Sequence, residues 1–249
     1  MLVSASTECF SDLPIPAVFE KLQDLEFAAV EIALRAGENR VSPAEVLEDI
    51  EKSINLCRNT HRLDITGYEV QIDATGQEHY DQFAAICRMA KATKVASITV
   101  PSAELGTPFN EEVEHLRRLV AIATLESARV SIRSQIGRLS EDPDTVVVLC
   151  DNVKGLGVTL DPTHYIAGPH AGRNFDKLAK YTYNMHLRDS SKESLQTRIG
   201  QGEVDYGRLI TILQQAGYDR ALTVHLKPLP EIDHDGEMRK IRLLLESLL

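Results

Sequence analysis

The sequence lacks the features that mark several protein classes. Basic residues are in the minority: 27 Lys and Arg stand against 37 Asp and Glu, for a net charge of −10 at pH 7. Nucleic acid is an unfavourable partner for such a chain, because phosphate binding needs clustered Lys and Arg. No segment approaches the ~20 apolar residues of a membrane helix, and the first residues lack the basic region of a signal peptide. We expect a cytoplasmic protein that binds neither nucleic acid nor membrane.

Cysteines are few and widely separated. The four of them, Cys9, Cys57, Cys87 and Cys150, form no CxxC pair of the kind that marks zinc or redox sites. Three lie in segments with helical periodicity, which predicts buried free thiols.

Length and composition favour one globular domain. The chain has 249 residues, of which 43% are hydrophobic and 26% charged, as in a soluble protein with a sizeable core. A single α/β barrel typically has ~250 residues. No linker or low-complexity tract divides the sequence, so we expect one domain over residues 1–249.

Eight short apolar runs rich in β-branched residues predict buried parallel strands. Their interiors are expected to be uncharged. They are Leu2–Ser6, Ala28–Leu34, Leu63–Ile72, Ala96–Val100, Val130–Ser134, Gly157–Asp161, Tyr183–Leu187 and Ala221–Leu226.

Segments with apolar residues at i, i+3 and i+4 alternate with these runs and predict helices. Ser42-Pro43 and Asp142-Pro143 are typical helix starts. The helices are Pro14–Leu25, Ala44–Cys57, Tyr80–Ala92, Glu111–Ser127, Asp144–Asn152, Asn174–Lys180, Tyr206–Ala216 and His234–Leu249.

Eight strand–helix repeats favour an α/β fold closed into a (β/α)8 TIM barrel. A doubly wound sheet is the alternative, but no Gly-x-Gly-x-x-Gly follows the first strand. The fourth and the last helix carry enough apolar residues to pack against the barrel or against a second subunit, so a homo-oligomer stays open.

Polar side chains cluster at the ends of the last three strands, where barrel enzymes carry their chemistry. Strand six leads into Asp161 and His164, strand seven contains His186, and strand eight contains His225. By the two-residue period of a strand, Asn184, His186 and Arg188 share one face. The remaining histidines, His61, His79, His115, His170 and His234, are most simply surface residues.

Gly200 and Gly202 precede a helix that Asp205 is expected to cap. Their backbone N–H groups could hold a phosphate, although a plain connector is the simpler interpretation. Asp189, just after strand seven, is expected to orient a neighbour or cap the following loop.

Together these segments resemble the xylose-isomerase-like superfamily of sugar phosphate isomerases and epimerases, which also contains endonuclease IV. The resemblance rests on the run Gly157 to His164, Met185 to Ser190, Gly200 to Tyr206 and Ala216 to Asp219. It implies a TIM barrel in which Glu, Asp, His and Glu on strands five to eight hold one divalent ion. Asp161 takes the aspartate position and His186 the histidine position, and His164 matches a histidine of the endonuclease branch.

Both expected glutamates are replaced. Arg133 stands at the position on strand five, and His225 stands at the position on strand eight. Mn²⁺ and Mg²⁺ favour carboxylates, and Arg cannot act as a ligand. One hypothesis is a metal-free site in which Arg133 pairs with Asp161 and binds an anionic or polyol ligand. The second is a Zn²⁺ site, preferred over Mn²⁺ or Mg²⁺, built from Asp161, His164, His186 and His225.

Catalysis would also need a base near an acidic C–H group. Glu31, Glu8, His186 and His225 are the candidates, and Arg133 and Arg188 are expected to bind substrate. Glu31 could instead simply pair with Arg133 or another cation.

The resemblance implies a sugar or sugar-phosphate isomerase or epimerase acting on small molecules. The alternative is a degenerate barrel that binds a sugar or anion without turnover, and DNA repair is the least favoured function.

Overall fold

The computed structural model describes all 249 residues and consists of a closed barrel of eight parallel strands. Neighbouring strands follow chain order around the ring, and the last strand pairs with the first. This topology confirms the TIM barrel and rules out the doubly wound sheet. The barrel strands are β1 Leu2–Ser6, β2 Ala29–Leu34, β3 Asp64–Val70, β4 Ser97–Pro101, β5 Arg129–Arg133, β6 Leu156–Leu160, β7 Thr182–Leu187 and β8 Ala221–Val224.

Helices alternate with the strands and cover the outside of the barrel. A two-stranded hairpin, Asp189–Ser191 with Ser194–Thr197, follows β7. The helices are α1 Ile15–Asp24, α2 Pro43–Glu48, α3 Ile50–Arg58, α4 Gly76–Ala92, α5 Phe109–Leu125, α6 Pro143–Asn152, α7 Thr163–Ile166, α8 Tyr206–Gln215 and α9 His234–Glu246.

Two predicted helices differ from the observed ones. The segment Ala44–Cys57 is two helices, because Asp49 leaves helical geometry at φ −141°. Its side chain accepts the Lys52 N–H at 3.0 Å and so starts a new helix. The segment predicted as a helix over Asn174–Lys180 forms a 3-10 helix, Asp176–Tyr181, instead.

The apolar core lies between the strands and the helix ring, and the space inside the ring of strands is polar. Thr159 hydrogen-bonds Thr99 at 2.8 Å and Ser131 at 2.7 Å, and Ser4 bonds Thr223 at 2.8 Å. All five side chains are buried. The hydroxyl groups satisfy one another, so this interior does not need the branched apolar side chains that usually fill it.

The expectation of uncharged strand interiors is wrong at two positions. Glu31 in β2 and Glu69 in β3 are both buried. All four cysteines are buried free thiols, which confirms the prediction made for Cys57, Cys87 and Cys150. None of the helices combines the length and the apolar character needed to span a membrane.

Candidate active site

Charged side chains and histidine imidazole rings fill the carboxyl-terminal mouth of the barrel in three layers. Glu31 and His186 form the floor, with both side chains fully buried. Glu69 and Asp161 lie above them, with side chains 3% and 2% exposed. Arginines form the outer layer, where Arg133 is 17% exposed.

Glu31 is held by two side chains of β7. Its Oε1 accepts Asn184 Nδ2 at 2.5 Å, and its Oε2 lies 2.7 Å from His186 Nε2. Burial alone would lower the pKa of His186. The charge and the hydrogen bond of Glu31, together with the charges of Glu69 and Asp161, outweigh burial, and the pKa is raised. Glu31 therefore pairs with His186 and not with Arg133, which was one of the expected partners.

Glu69 is the functional residue that sequence reasoning missed. Its carboxylate contacts Arg133, Arg35 at 3.1 Å and His225 Nε2 at 3.2 Å. Burial raises the pKa of a carboxyl, yet the charge of Arg133 holds the pKa of Glu69 well below its usual range. The sequence signal was a carboxylate in the apolar run Tyr68-Glu69-Val70, on the inward side of β3.

The predicted pair between Arg133 and Asp161 is wrong. Arg133 reaches across to Glu69 and also donates to Gln135 at 2.7 Å. Asp161 instead accepts Arg188 Nη2 at 2.8 Å. Burial alone would raise the pKa of Asp161, but the charge of Arg188 holds it well below its usual range.

His186 and His225 come together, but they differ in access. Their rings stack with centroids 4.6 Å apart. Both use Nε2 toward a carboxylate, which leaves Nδ1 as the basic nitrogen of each neutral ring. Nδ1 of His186 is buried without a partner, whereas the His225 side chain is 9% exposed. Burial lowers the pKa of His225 more than Glu69 raises it, so this ring is neutral at pH 7.

His164 is neutral for a different reason. Its Nδ1 faces the Ile136 N–H at 3.2 Å, and its Nε2 faces Arg188 Nη2 at 3.0 Å. A protonated ring would point N–H groups at both donors. Burial lowers the pKa of His164 to about 4, although Asp161 opposes the shift.

Glu8 follows β1 and lies at the rim. Its carboxylate is within 2.9 Å of Arg40 and 3.1 Å of Arg35. Arg35 therefore bridges Glu8 to Glu69. Glu8 is committed to arginines, which leaves it a poor candidate for the base.

Comparison with known proteins identifies the fold family. The family model described as "Xylose isomerase-like TIM barrel" matches residues 19–242. The chain belongs to this family. No curated protein matches the sequence.

Solved xylose isomerase-like barrels superpose along the whole chain. One from Mycobacterium smegmatis in complex with magnesium is 14% identical, with a TM-score of 0.78 over 100% of this chain and 98% of that one. The 3-keto-D-glucoside 4-epimerase from E. coli is 15% identical, with a TM-score of 0.75 over 99% of both chains. D-psicose 3-epimerase from Clostridium cellulolyticum H10, solved with D-tagatose, is 12% identical, with a TM-score of 0.76 over 100% of this chain and 99% of that one. At these identities the likeness shows the fold.

The predicted metal ligands of this family member fall into two groups. Asp161 and His164 gather around Arg188. His186 and His225 lie instead with Glu69, and the potential ligand atoms of these three side chains are within 4.8 Å of one another.

Glu69, His186 and His225 offer a possible site for a divalent ion, but the Glu69 carboxylate is shared with two arginines. Glu69 already carries Arg133 and Arg35, so an ion on it would lie beside two guanidinium groups. Two unit charges ~4 Å apart repel by ~4 kcal/mol at an effective dielectric of ~20, and the ion carries two charges. In this arrangement Arg133 and Arg35 oppose the binding of an ion at Glu69.

The loop with Gly200 and Gly202 is organised by the chain itself. Asp189 is buried and accepts the N–H groups of Gly200 at 2.7 Å and Gly202 at 3.1 Å. A Cβ on Gly202 would lie 2.1 Å from Asp189 Oδ1. The carboxylate of Asp189 occupies the N–H groups that could have held a phosphate, so the loop is arranged as the plain connector that was the simpler interpretation. Asp189 caps the loop, and Asp205 caps α8.

The expectation that the other histidines are surface residues holds only for His61. His234 is half-buried and contacts the Cys9 carbonyl at 2.8 Å. His170 is half-buried against Glu141. His79 and His115 are half-buried side by side, with ring centroids 5.2 Å apart.

Proposed function

We propose that this protein is a sugar isomerase or epimerase that moves a proton beside a carbonyl group without a metal ion. The observation that carries the proposal is the Glu69–His225 pair, with Arg133 bound to the same carboxylate. A neutral imidazole fixed by a carboxylate is a general base, and a guanidinium beside it stabilises negative oxygen.

His225 is the catalytic base in this proposal. Its Nε2–H donates to Glu69, so Nδ1 takes the proton from the carbon next to the carbonyl. The electron pair of that C–H bond moves to the carbonyl oxygen and forms an enediolate. An epimer forms when solvent protonates the opposite face of that carbon and His225 gives its proton to solvent. An isomer forms when His225 returns its proton to the neighbouring carbon while the hydroxyl proton of the enediolate moves to the other oxygen.

Arg133 and Arg188 hold the developing oxyanion. Both are charged at any working pH, and both lie in the outer layer of the mouth, with side chains 17% and 10% exposed. An anionic sugar, such as a sugar phosphate or sugar acid, matches these cations better than a neutral sugar. Glu31 and His186 are positioning residues, since both are fully buried.

The test is deuterium exchange in D2O with chelator-treated protein. Aldoses, ketoses, keto-sugars and their phosphates are incubated with enzyme, and deuterium at the carbon beside the carbonyl is measured by NMR. We expect exchange with at least one substrate, and a loss of ~10²-fold or more in His225→Asn. The control is His61→Asn, which changes an exposed histidine far from the mouth.

The second candidate is a barrel that binds an anionic sugar without turnover. Its supporting observation is that each of the four mouth carboxylates, Glu8, Glu31, Glu69 and Asp161, is already paired with a cationic or imidazole side chain. A rise in Tm with a sugar phosphate but no deuterium exchange would favour this function over catalysis. Exchange that requires added metal would contradict the metal-free mechanism.

A further inference from the structure

A second cavity of about 350 Å³ lies outside the mouth, between the amino-terminal halves of α4 and α5 and the ends of β3 and β4. A narrow cleft beside it is lined by Glu69 and Arg133 and has no room for a water molecule. The proton-transfer chemistry proposed above does not use it. Its volume is within the ~300–1,000 Å³ of small-molecule pockets.

The helix positions that face this cavity carry ionisable groups where a barrel normally packs apolar side chains. On α5 these are Glu112 and His115, followed by Leu119 one turn later. On α4 His79 is followed by Phe83. The spacings i, i+3, i+7 and i, i+4 place each set on the inward face of its helix. Both helices that face the cavity therefore contribute polar side chains to its lining.

Glu112 is the most constrained of these groups. It is 2% exposed, and its Oε1 accepts the Ala103 N–H at 2.9 Å. No cation pairs with it within 4 Å, in contrast to the mouth carboxylates. Burial raises its pKa, and the Ala103 N–H and the charge of Arg138 only partly oppose the shift.

The histidines of the cavity are neutral acceptors. The Nδ1 of His79 lies 3.2 Å from the Ala74 carbonyl, so it donates and leaves the Nε2 lone pair free. Burial lowers the pKa of His79, and it lowers that of His115 to about 4.

Three carboxylates and one arginine line the cavity, and the charge of Arg118 acts on His115 from outside it. Asp73 and Glu104 lie at the rim with Glu112. Arg138 is the one basic lining residue, and it donates to the Ser102 carbonyl at 2.7 Å and lies 3.8 Å from Glu104. The polar groups thus offer acceptors and net negative charge, while Phe83, Val100, Pro101 and Leu119 form an apolar floor.

We infer that this cavity binds a small organic ammonium compound, with its N–H donors at Glu112 and His79 and its carbon skeleton on the apolar floor. A neutral polyol would leave the charge of Glu112 unpaired, and an anion would be repelled by three carboxylates.

The experiment uses cyclohexylammonium as the probe, with cyclohexanol and cyclohexanecarboxylate as neutral and anionic analogues of the same size. Binding to the full-length protein is followed by imidazole ¹H–¹⁵N NMR. We expect cyclohexylammonium to shift the resonances of His79 and His115 and to leave those of His186 and His225 unchanged. The two analogues should bind at least 10-fold more weakly.

Two variants and one control test the assignment. Glu112→Gln keeps an acceptor for the Ala103 N–H but removes the charge, and should weaken binding at least 10-fold. Asp73→Asn changes an exposed rim residue and should not affect folding. We expect it to weaken binding of cyclohexylammonium 2- to 5-fold, the effect of a single exposed charge. Glu114→Gln changes an exposed acid on the same helix and should have no effect.

Any of three outcomes would overturn the assignment. Cyclohexanol could bind as tightly as cyclohexylammonium, Glu112→Gln and Glu114→Gln could have equal effects, or the NMR shifts could be confined to the mouth histidines. The readout is binding at His79 and His115. Its result is therefore independent of the deuterium exchange measured for the mouth.

Discussion

The imidazole rings of His186 and His225 stack with their planes 23° apart and their centroids separated by 4.6 Å. Each ring has its own carboxylate: Glu31 for the fully buried His186, and Glu69 for His225, whose side chain is 9% exposed. The two pairs bring opposite shifts in pKa, raised for His186 and lowered for His225. Adjacent rings with different proton affinity suit one structural and one reactive role.

Glu69→Gln is expected to destabilise the fold by about 3–5 kcal/mol. It removes a buried charge that pairs with Arg133 and Arg35 and accepts from His225. Arg133 is left without its carboxylate partner, whereas Arg35 keeps Glu8. Urea unfolding monitored by circular dichroism gives the difference. Glu104→Gln is the control, because its side chain is 80% exposed and its ion pair with Arg138 is long; it should change stability by less than ~0.5 kcal/mol. Similar values for the two variants would contradict the role assigned to Glu69.

Acid should weaken the fold from about pH 6.5 downward, and His164 should account for part of the loss. An unfolded histidine takes up a proton near pH ~6.5, whereas folded His164 does so only near about 4. The unfolded state therefore binds more protons in this window. As the pH is lowered, the free energy of unfolding decreases by on the order of 3 kcal/mol and then levels off. In His164→Asn, unfolding free energies measured from pH 7 to pH 4 should decline less steeply. The exposed His61→Asn should retain the wild-type slope.

Arg133→Glu combined with His225→Glu is expected to create a site for Mn²⁺. The two changes add carboxylates at the ends of β5 and β8, beside Asp161 and His186, and remove the cation that Glu69 neutralises. Calorimetry should show one equivalent of Mn²⁺ bound to the double variant and none to the wild type. Tight Mn²⁺ binding by the wild type would show that Arg133 does not exclude an ion.

Gly202→Ala and Gly207→Ala are expected to change stability in opposite directions. A Cβ at Gly202 meets Asp189 Oδ1 at 2.1 Å and the Ser190 carbonyl oxygen at 2.5 Å, so the loop must move. We expect a loss of about 2–4 kcal/mol. Gly207 lies in α8, with its nearest neighbouring atom at 3.7 Å, and alanine there should stabilise by ~0.5–1 kcal/mol. Thermal unfolding of the two variants provides the comparison.

Much of the fold was predictable, because strand and helix periodicities are local. All eight strands were located within a few residues, as in β1 and β5. The break at Asp49 was not, since it depends on a capping side chain inside an otherwise helical pattern. The site was predictable only in position. Asp161, His186 and His225 do lie at the mouth, but their partners depend on which side chains can reach across the barrel.

Arg133 shows why partners were harder to predict than positions. Arg133 pairs in the sheet with Thr159 on β6, two residues before Asp161. Its side chain nevertheless contacts Glu69 on β3, two strands away on the other side. Arg188 pairs with Asp161, whereas Arg133 joins Arg35 and His225 at Glu69. These pairings are made across the closed ring, and local spacing in the sequence does not reveal them.

The pair between Glu69 and Arg133 also sets a threshold for ligands. Glu69 is a tethered competitor, held against the guanidinium at a local concentration far above that of any dissolved anion. For the proposed substrates, we expect a dianion that engages Arg133 and Arg35 together to displace Glu69 more readily than a weakly charged ligand. Selection by charge would then precede any contact with the sugar hydroxyls.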